Sequence, residues 1–454
     1  MITIVQGHVL TALARIPDNT AHCVVTSPPY WGLRDYGLEP QVWGGDTDCD
    51  HEWAEALTKR NGRDWDPTIK ASPVMRNDHG SAGQFCEKCA AWRGNYGLEP
   101  TISLYVENSV RIFREVRRVL RPDGVCFLNL GDSYVGSGGP GSQYDNKVNS
   151  KYKENFRKYN NPNRKVDGLQ PKQLAGVPWR VALALQEDGW WLRSDIIWYK
   201  PNPMPESVKD RPTRNHEYIF LLTKSKKYFW DQEATREALS ESTLNDKRLN
   251  SGRHEQGKVY SKYQVSGSEA PPDWYQGKFF GDPAVGRNIR SVWKIATQST
   301  KEAHFATFPF KLVQRCLLAG TSEKGCCPKC GKQWVRIVDR KFVPQQDVSE
   351  QKGKRGAGNQ KPMDQSSRWN GTPRGTVRTQ AHVWTAGCKC GAGQDPIPCV
   401  VLDPFGGSMT TALVAGSMQR SAICTEINPE YVKLGVKRAK EKLGMFAEIN
   451  LIEG

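Results

Sequence analysis

Nowhere do the 454 residues approach the uninterrupted apolar run of about 18 that a membrane-spanning helix needs, so no membrane span is expected. The N-terminus, Met1-Ile2-Thr3-Ile4-Val5-Gln6-Gly7-His8, lacks the basic region and long apolar segment of a secretory leader. Export is therefore not expected, and a cytoplasmic location is. Acidic residues are also short: 48 Asp and Glu stand against 64 Lys and Arg, a formal charge of +16 spread along the chain. Such an excess fits a polyanionic partner, most simply nucleic acid, although plain solubility would explain it as well. What is plentiful is cysteine, thirteen in all, with fifteen Trp and fifteen Tyr on which bases could stack. In a chain with no export signal, that cysteine count points to thiols and metal ligands before disulfides.

The first segments read as strand, helix, strand: Ile2 to Val5, Val9 to Ile16 with Leu10, Leu13 and Ile16 on one face, and His22 to Val25. The last of these runs into Thr26-Ser27-Pro28-Pro29-Tyr30-Trp31, which neither a strand nor a helix interior would accept. Two prolines stiffen this loop, so a hydroxyl, carbonyl oxygens and a flat ring can be fixed at one strand end, where open α/β sheets place ligands. Ser27, Pro28, Pro29 and Tyr30 thus suit a planar, amine-bearing group; a Pro-rich strand exit packed on the core is the plainer alternative. Helices are also expected over Thr101 to Leu120, Val177 to Gln186 and Pro309 to Ala319, with Arg121-Pro122-Asp123-Gly124 turning the chain into a buried strand from Val125 to Leu130. Strands at Trp191 to Trp198 and Tyr218 to Leu222 form an antiparallel pair expected to close the sheet edge. The loop between them should present Lys200 and Asn202 to solvent.

The core is therefore read in pieces, 1–40, 98–135, 177–230, 289–321 and 398–454. Between them lie segments without periodicity: 41–97, a mobile basic loop at 136–176, a candidate DNA-recognition insertion at 231–288, and 322–397 with a flexible charged middle at 344–380. Cysteine spacing organises two of the insertions. Cys49-x-His51 with Cys86-x-x-Cys89, and Cys327-x-x-Cys330 with Cys388-x-Cys390, each supply four soft ligands for a tetrahedral zinc ion, with Cys326 as a decoy beside the second set. A bound metal would fold segments with too few apolar residues to fold themselves; two sets of metal-free thiols are the alternative.

Near the C-terminus a buried strand, Cys399 to Leu402, ends in Asp403-Pro404-Phe405-Gly406-Gly407-Ser408 and a helix from Thr410. The next strand, Ser421 to Thr425, ends in Glu426. Strand, acid, glycine turn and helix is the plan of a site for an adenosine-containing cofactor, with Glu426 placed to bind a ribose. No phosphate-loop lysine accompanies the turn, and an ordinary β-α-β connection would look similar.

Taken together, Thr26-Ser27-Pro28-Pro29-Tyr30 and Asp403-Pro404-Phe405-Gly406-Gly407-Ser408 resemble the motif pair of S-adenosylmethionine-dependent DNA methyltransferases that modify exocyclic amines. The catalytic motif precedes the cofactor motif, as in the permuted beta group of bacterial and phage enzymes. Trp31-Gly32-Leu33-Arg34-Asp35-Tyr36-Gly37, Leu130-Gly131-Asp132-Ser133-Tyr134, Lys200-Pro201-Asn202-Pro203 and His304-Phe305-Ala306-Thr307-Phe308-Pro309 also look like family segments. The resemblance implies a Rossmann-like, doubly wound, mostly parallel sheet with an antiparallel edge hairpin and zinc-stabilised insertions. It further implies S-adenosyl-L-methionine as cofactor, held by Asp403, Pro404, Phe405, Gly406, Gly407, Ser408, Glu426, Phe305 and Thr307, and double-stranded DNA as substrate. A homodimer and a cognate restriction nuclease are partners it allows.

In that family the serine and proline oxygens accept the amine hydrogens while the tyrosine stacks on a flipped base. Serine before Pro-Pro-Tyr is commoner in cytosine-N4 enzymes, so N4 of cytosine is favoured over N6 of adenine. Two positions depart from the pattern. Met409 stands where the glycine turn usually has a third glycine, and His8 where relatives have Asp after Gly7. A catalytically impaired, zinc-containing DNA-binding protein is the reading those departures leave open, and an RNA or protein substrate is a third.

Overall fold

The computed structural model describes residues 1–33, 36–54, 84–135, 167–238, 287–298, 309–344, 375–391, 395–444 and 448–453. In chain order the elements are β1 (Ile2–Gln6), α1 (Val9–Ala14), β2 (Ala21–Thr26), β3 (Gln41–Trp43), β4 (Gln84–Phe85), β5 (Trp92–Gly94), α2 (Ile102–Val119) and β6 (Leu120–Leu130). They continue with α3 (Val177–Glu187), β7 (Trp191–Tyr199), β8 (His216–Thr223), β9 (Val292–Lys294), α4 (Phe310–Gly320), β10 (Val335–Pro344) and β11 (Gly375–Thr385). The last are β12 (Val400–Asp403), α5 (Thr410–Ser417), β13 (Ser421–Glu426), α6 (Pro429–Leu443) and β14 (Ile449–Ile452).

Residues 1–231, 290–334 and 386–454 form one compact unit, and residues 232–289 and 335–385 a second. Among the described residues, the first unit is built on nine strands in the order β14-β1-β13-β12-β2-β6-β8-β7-β9. Pairing is parallel from β14 to β6, β8 is antiparallel to both neighbours, and β9 runs parallel to β7. Every residue of β2 is buried, as a strand covered on both faces requires. α2 starts where the Thr101 hydroxyl accepts the Leu104 amide at 3.1 Å. Its core side carries Ile102, Tyr105, Ile112, Phe113, Val116 and Val119 at helical spacing.

Three expectations need correction. The antiparallel pair β7–β8 is present, but the short strand β9 adds outside β7 and takes the edge. Segment 121–124 is a bulge rather than a turn: Ala21 pairs with Leu120 and Cys23 already with Val125, so the extra residues, Pro122 among them, bow out of the ladder. The insertions are more regular than their composition implied. In the first, β3, β5 and β4 make a three-stranded sheet, and in the second unit β10 and β11 pair antiparallel over their full lengths with a bulge at Asp339/Arg340.

In the described part of the basic loop, the Val135 amide donates to Gln173 O at 2.9 Å and the Ala175 amide to Ser133 O at 2.9 Å. Residues 136–166, 239–286 and 345–374 lie outside the described residues. No described helix is long and apolar enough to cross a membrane.

From β2 the chain passes on to β6 on one side, and from β12 to β13 on the other. The carboxyl ends of β2 and β12 therefore flank the reversal point of the sheet, the place where such folds open a crevice.

Candidate active site and metal clusters

Both sequence motifs meet at that point. The Thr26 hydroxyl, last on β2, donates to Asp403 Oδ1 at 2.8 Å. The Thr411 hydroxyl donates to Oδ2 at 2.8 Å, and the Phe405 amide to Oδ1 at 3.1 Å. Asp403 thus ties β2, the glycine turn and α5 into one joint. Its burial pushes the carboxyl up to about 7 despite those three donors.

Past Thr26, Pro28 is buried while Ser27, Pro29 and Tyr30 are half-buried. The Tyr105 hydroxyl donates to Pro29 O at 3.0 Å and fixes the middle of the loop. The Ser27 hydroxyl donates to Tyr30 Oη at 3.0 Å, and the Tyr30 hydroxyl donates to Glu217 Oε2 at 2.8 Å. Asn129 Nδ2 donates to the same Oε2 at 2.7 Å, to Ser27 Oγ at 3.4 Å, and to Tyr30 Oη. Lys200 Nζ closes the cluster on Glu217 Oε1 and lies 4.4 Å from the centroid of the Trp198 ring.

Lys200 is accordingly turned inward, not presented to solvent, because Glu217 is a half-buried opposite charge within its reach. Burial pushes the Glu217 carboxyl up, but Lys200 with the Asn129 and Tyr30 hydrogen bonds outweighs it, and the net displacement is downward. Sequence reading missed Asn129 and Glu217. The available signal was a lone amide inside the apolar run Val125 to Leu130 and a carboxylate beside the first apolar residues of β8.

On the other side of the joint, Glu426 ends β13 and accepts the Gly407 amide at 2.7 Å and the Asn428 amide at 2.8 Å. An open cleft of about 430 Å³ beside it is lined by Gln6, Gly7, His8, Thr11, Ala12, Arg15, Ile427 and Glu453. His8 has an unpartnered buried Nε2 among the described residues, and burial lowers its pKa to about 4. Burial thus favours its neutral form. Met409 does adopt the left-handed conformation, with φ of 61°. Its side chain is buried and fills the space left by Gly435 of α6, where an added Cβ would sit 2.2 Å from Met409 Cγ. Phe305 and Thr307 lie outside the described residues.

The first insertion supplies a wall of this site. Trp43 of β3 meets His8 edge-on at 4.6 Å, and Tyr96 stacks on Phe405 at 5.6 Å and on Tyr105 at 5.0 Å. Gly97, at φ of +93°, lies so close to Pro29 that a Cβ would be 3.0 Å from it, and its carbonyl accepts the Gly32 amide at 2.8 Å. Glu99 holds this corner by accepting the Gly97 amide at 2.8 Å and Asn108 Nδ2 at 3.1 Å.

Cys49, His51, Cys86 and Cys89 of the first insertion place their four ligand atoms within 4.8 Å of one another, and so, separately, do Cys327, Cys330, Cys388 and Cys390. The Cys49 and Cys86 sulfurs are 3.9 Å apart, and Cys89 Sγ lies 3.4 Å from His51 Nδ1. A tetrahedron of Zn–S bonds of about 2.3 Å would set sulfurs about 3.8 Å apart, so the donor set fits zinc in type and spacing. A third group, His22, Cys326 and Cys399, is buried. Its imidazole is already committed, with Nε2 to Gly331 O at 2.7 Å and Nδ1 accepting the Val400 amide at 3.0 Å. Cys326 falls in this third group and not in the second four-residue set.

A family model described as DNA methylase matches residues 21–327 and 399–437. The chain belongs to the DNA methylase family. Among its relatives, the type II methyltransferase M.Cfr9I of Citrobacter freundii is 31% identical over 436 residues, 96% of this chain and 87% of that one. M.XycI of Xanthomonas campestris pv. cyanopsidis is 37% identical over 319 residues, 70% of this chain and 72% of its own. The solved PvuII DNA methyltransferase, described as cytosine-N4-specific, aligns over 96% of this chain and 86% of its own with 14% identity and a TM-score of 0.43. The methylase is an enzyme of DNA modification whose target is an exocyclic amine, cytosine N4 or adenine N6.

Proposed function

We propose that this methylase moves the methyl group of S-adenosylmethionine to N4 of a cytosine flipped out of double-stranded DNA. One observation carries the reading: the Thr26–Asp403 hydrogen bond of 2.8 Å locks the Ser-Pro-Pro-Tyr loop to the glycine turn across adjacent strand ends. The donor set fits the cofactor. Glu426 offers a carboxylate to ribose hydroxyls, Gly407 a turn with φ of +49° whose amide Glu426 holds at 2.7 Å, and Gly7, His8 and Ile427 a cleft for the flat base. Phe405, Pro404 and Ser408 shape the turn, and Asp403 serves by holding it in place. S-adenosylmethionine supplies a methyl group on a positively charged sulfur, which keeps the bonding pair when the methyl leaves.

The chain's own residues work on the amine. Its lone pair is delocalised into the ring, so the site must favour a tetrahedral nitrogen. Ser27 Oγ and Pro28 O accept its two hydrogens, and the half-buried Tyr30 ring stacks on the base while its hydroxyl is anchored inside. Positioning and charge complementarity provide most of the acceleration. Ser27 is the residue that favours cytosine. Zinc at each four-ligand cluster holds the wall formed by 41–97 and the base of 322–397. Residues 239–286, which are not described, complete the insertion assigned to sequence recognition. A cognate nuclease and a second copy of the chain belong to the same reading.

Digestion of methylated duplex DNA and mass spectrometry of its nucleosides tests the base. N4-methylcytosine is expected; N6-methyladenine would overturn the cytosine assignment, and neither product would overturn amine transfer altogether.

A further inference from the structure

We infer that Glu217 is the far end of a proton relay that begins at the Ser27 hydroxyl and passes through the Tyr30 hydroxyl. The inference rests on Ser27 as an acceptor of the target amine and extends that reading to the proton the amine must lose. An exocyclic amine that gains a methyl group keeps one of its two hydrogens. A serine hydroxyl is too weak a base to hold the other unless it passes its own proton on.

The structure supplies that path in the required direction. Ser27 Oγ donates to Tyr30 Oη at 3.0 Å, and Tyr30 Oη donates to Glu217 Oε2 at 2.8 Å. As the N–CH₃ bond forms, the amine N–H bond breaks toward Ser27 Oγ, the Ser27 O–H breaks toward Tyr30 Oη, and the Tyr30 O–H breaks toward Glu217. The products are a neutral methylated amine, both hydroxyls restored, and a protonated Glu217. Lys200 on Oε1 and Asn129 Nδ2 at 2.7 Å on Oε2 keep the resting carboxylate ionised. Burial and the neighbouring Glu217 charge hold the Tyr30 phenol well above its usual range, so no phenolate accumulates and the protons move together.

Glu217 does not touch the base on this account. It is a positioning residue that acts through Tyr30, and a purely structural anchor for the Tyr30 ring is the alternative to exclude.

Tyr30→Phe separates the two, because it keeps the ring and deletes only the hydroxyl. In single-turnover transfer from labelled S-adenosylmethionine to a duplex oligonucleotide, with the full-length, metal-containing protein, the rate should fall about 10²-fold. Calorimetric affinity for the cofactor and anisotropy-measured affinity for DNA should stay within about twofold, and the solvent deuterium isotope effect on transfer should disappear. Glu217→Gln should match it, and Glu217→Asp should recover part of the rate.

Because Glu217→Gln strands Lys200, the pair Glu217→Gln with Lys200→Met is the control for folding, and it should stay as slow. A Tyr30→Phe enzyme within about threefold of the parent, or one whose binding falls in step with its rate, overturns the relay. Ser27→Ala then tells the two readings apart: a large loss leaves the amine assignment standing without the relay, and a parental rate removes that assignment too.

Discussion

Replacing Gly435 by alanine probes how the glycine turn tolerates a methionine. Met409 sits at φ 61°, ψ 30°, a left-handed conformation that costs an ordinary residue about 1–2 kcal/mol. Its side chain is 1% exposed and threads past two glycines. A Cβ on Gly435 would lie 2.2 Å from Met409 Cγ and 3.2 Å from its Cβ, and one on Gly406 would lie 2.8 Å from its Sδ.

Gly435→Ala should therefore overpack the site at a cost of about 1–3 kcal/mol, partly offset by the 0.5–1 kcal/mol or so that alanine gains over glycine inside α6. In a Met409→Gly background the obstruction is gone, and the same change should stabilise by roughly 0.5–1 kcal/mol. Met409→Gly itself trades relief of about 1–2 kcal/mol of strain against a cavity worth roughly 2–5 kcal/mol. The assay is urea unfolding of the four proteins of this double-mutant cycle. A coupling of about 1–3 kcal/mol, the overpacking cost alone, with a reversal of sign is expected. If Gly435→Ala costs the same in both backgrounds to within about 0.5 kcal/mol, the methionine is not what occupies that space, and the packing argument fails.

Asp403→Asn should flatten part of the pH dependence of stability. The native carboxyl titrates at about 7 against a usual 3.8, so the native state holds this proton more tightly than the unfolded chain. That contribution is full below about pH 4 and is lost as pH rises to about 7, by at most ~4 kcal/mol, and an amide cannot show it. The amide also keeps the bonds, since Thr411 can turn its hydroxyl to Val25 O, now at 3.3 Å. Equal slopes of urea midpoint against pH in both proteins would refute the assignment.

Elemental analysis of the purified protein should find two zinc ions per chain. Chelation, or Cys89→Ser, should weaken cofactor binding and shift Trp43 and Trp92 fluorescence, because both sit in the sheet beside the first cluster. Cys388→Ser should leave those signals in place, and the opposite pattern would sink the wall assignment. Tyr30→Ala should slow transfer more than it weakens cofactor binding, whereas Glu426→Ala should do the reverse. Matched losses in a kcat and KM comparison would count against the division of the site.

How much was legible in the chain varied by element. The strand leading to Ser27 and the one leading to Asp403 were readable because a doubly covered parallel strand is a short apolar run that ends abruptly in turn chemistry. The two four-residue Cys/His groups were readable as groups because closely spaced pairs of such residues leave few ways to combine. The edge position of β9 was not legible, since its three residues Val292–Lys294 carry no sign of which strand they join. The three-stranded sheet of the first insertion was missed for a related reason: strands of two or three residues carry no period, and the tryptophans that hold them find their partners across tens of residues.

Sequence alone therefore determined the local chemistry: the stiff Ser27-Pro28-Pro29-Tyr30 loop, the glycine turn, the acid at Glu426 and the two closely spaced Cys/His groups. Each depends on neighbours a few positions away. Tertiary structure decided what those groups do to one another. It made Asp403 a joint between β2, the glycine turn and α5, gave Met409 its space at Gly435, and drew Asn129, Lys200 and Glu217 around the Tyr30 hydroxyl. The reason is distance along the chain: 187 residues separate Tyr30 from Glu217 and 377 separate Thr26 from Asp403. Only the order of strands in the sheet brings such pairs within a hydrogen bond.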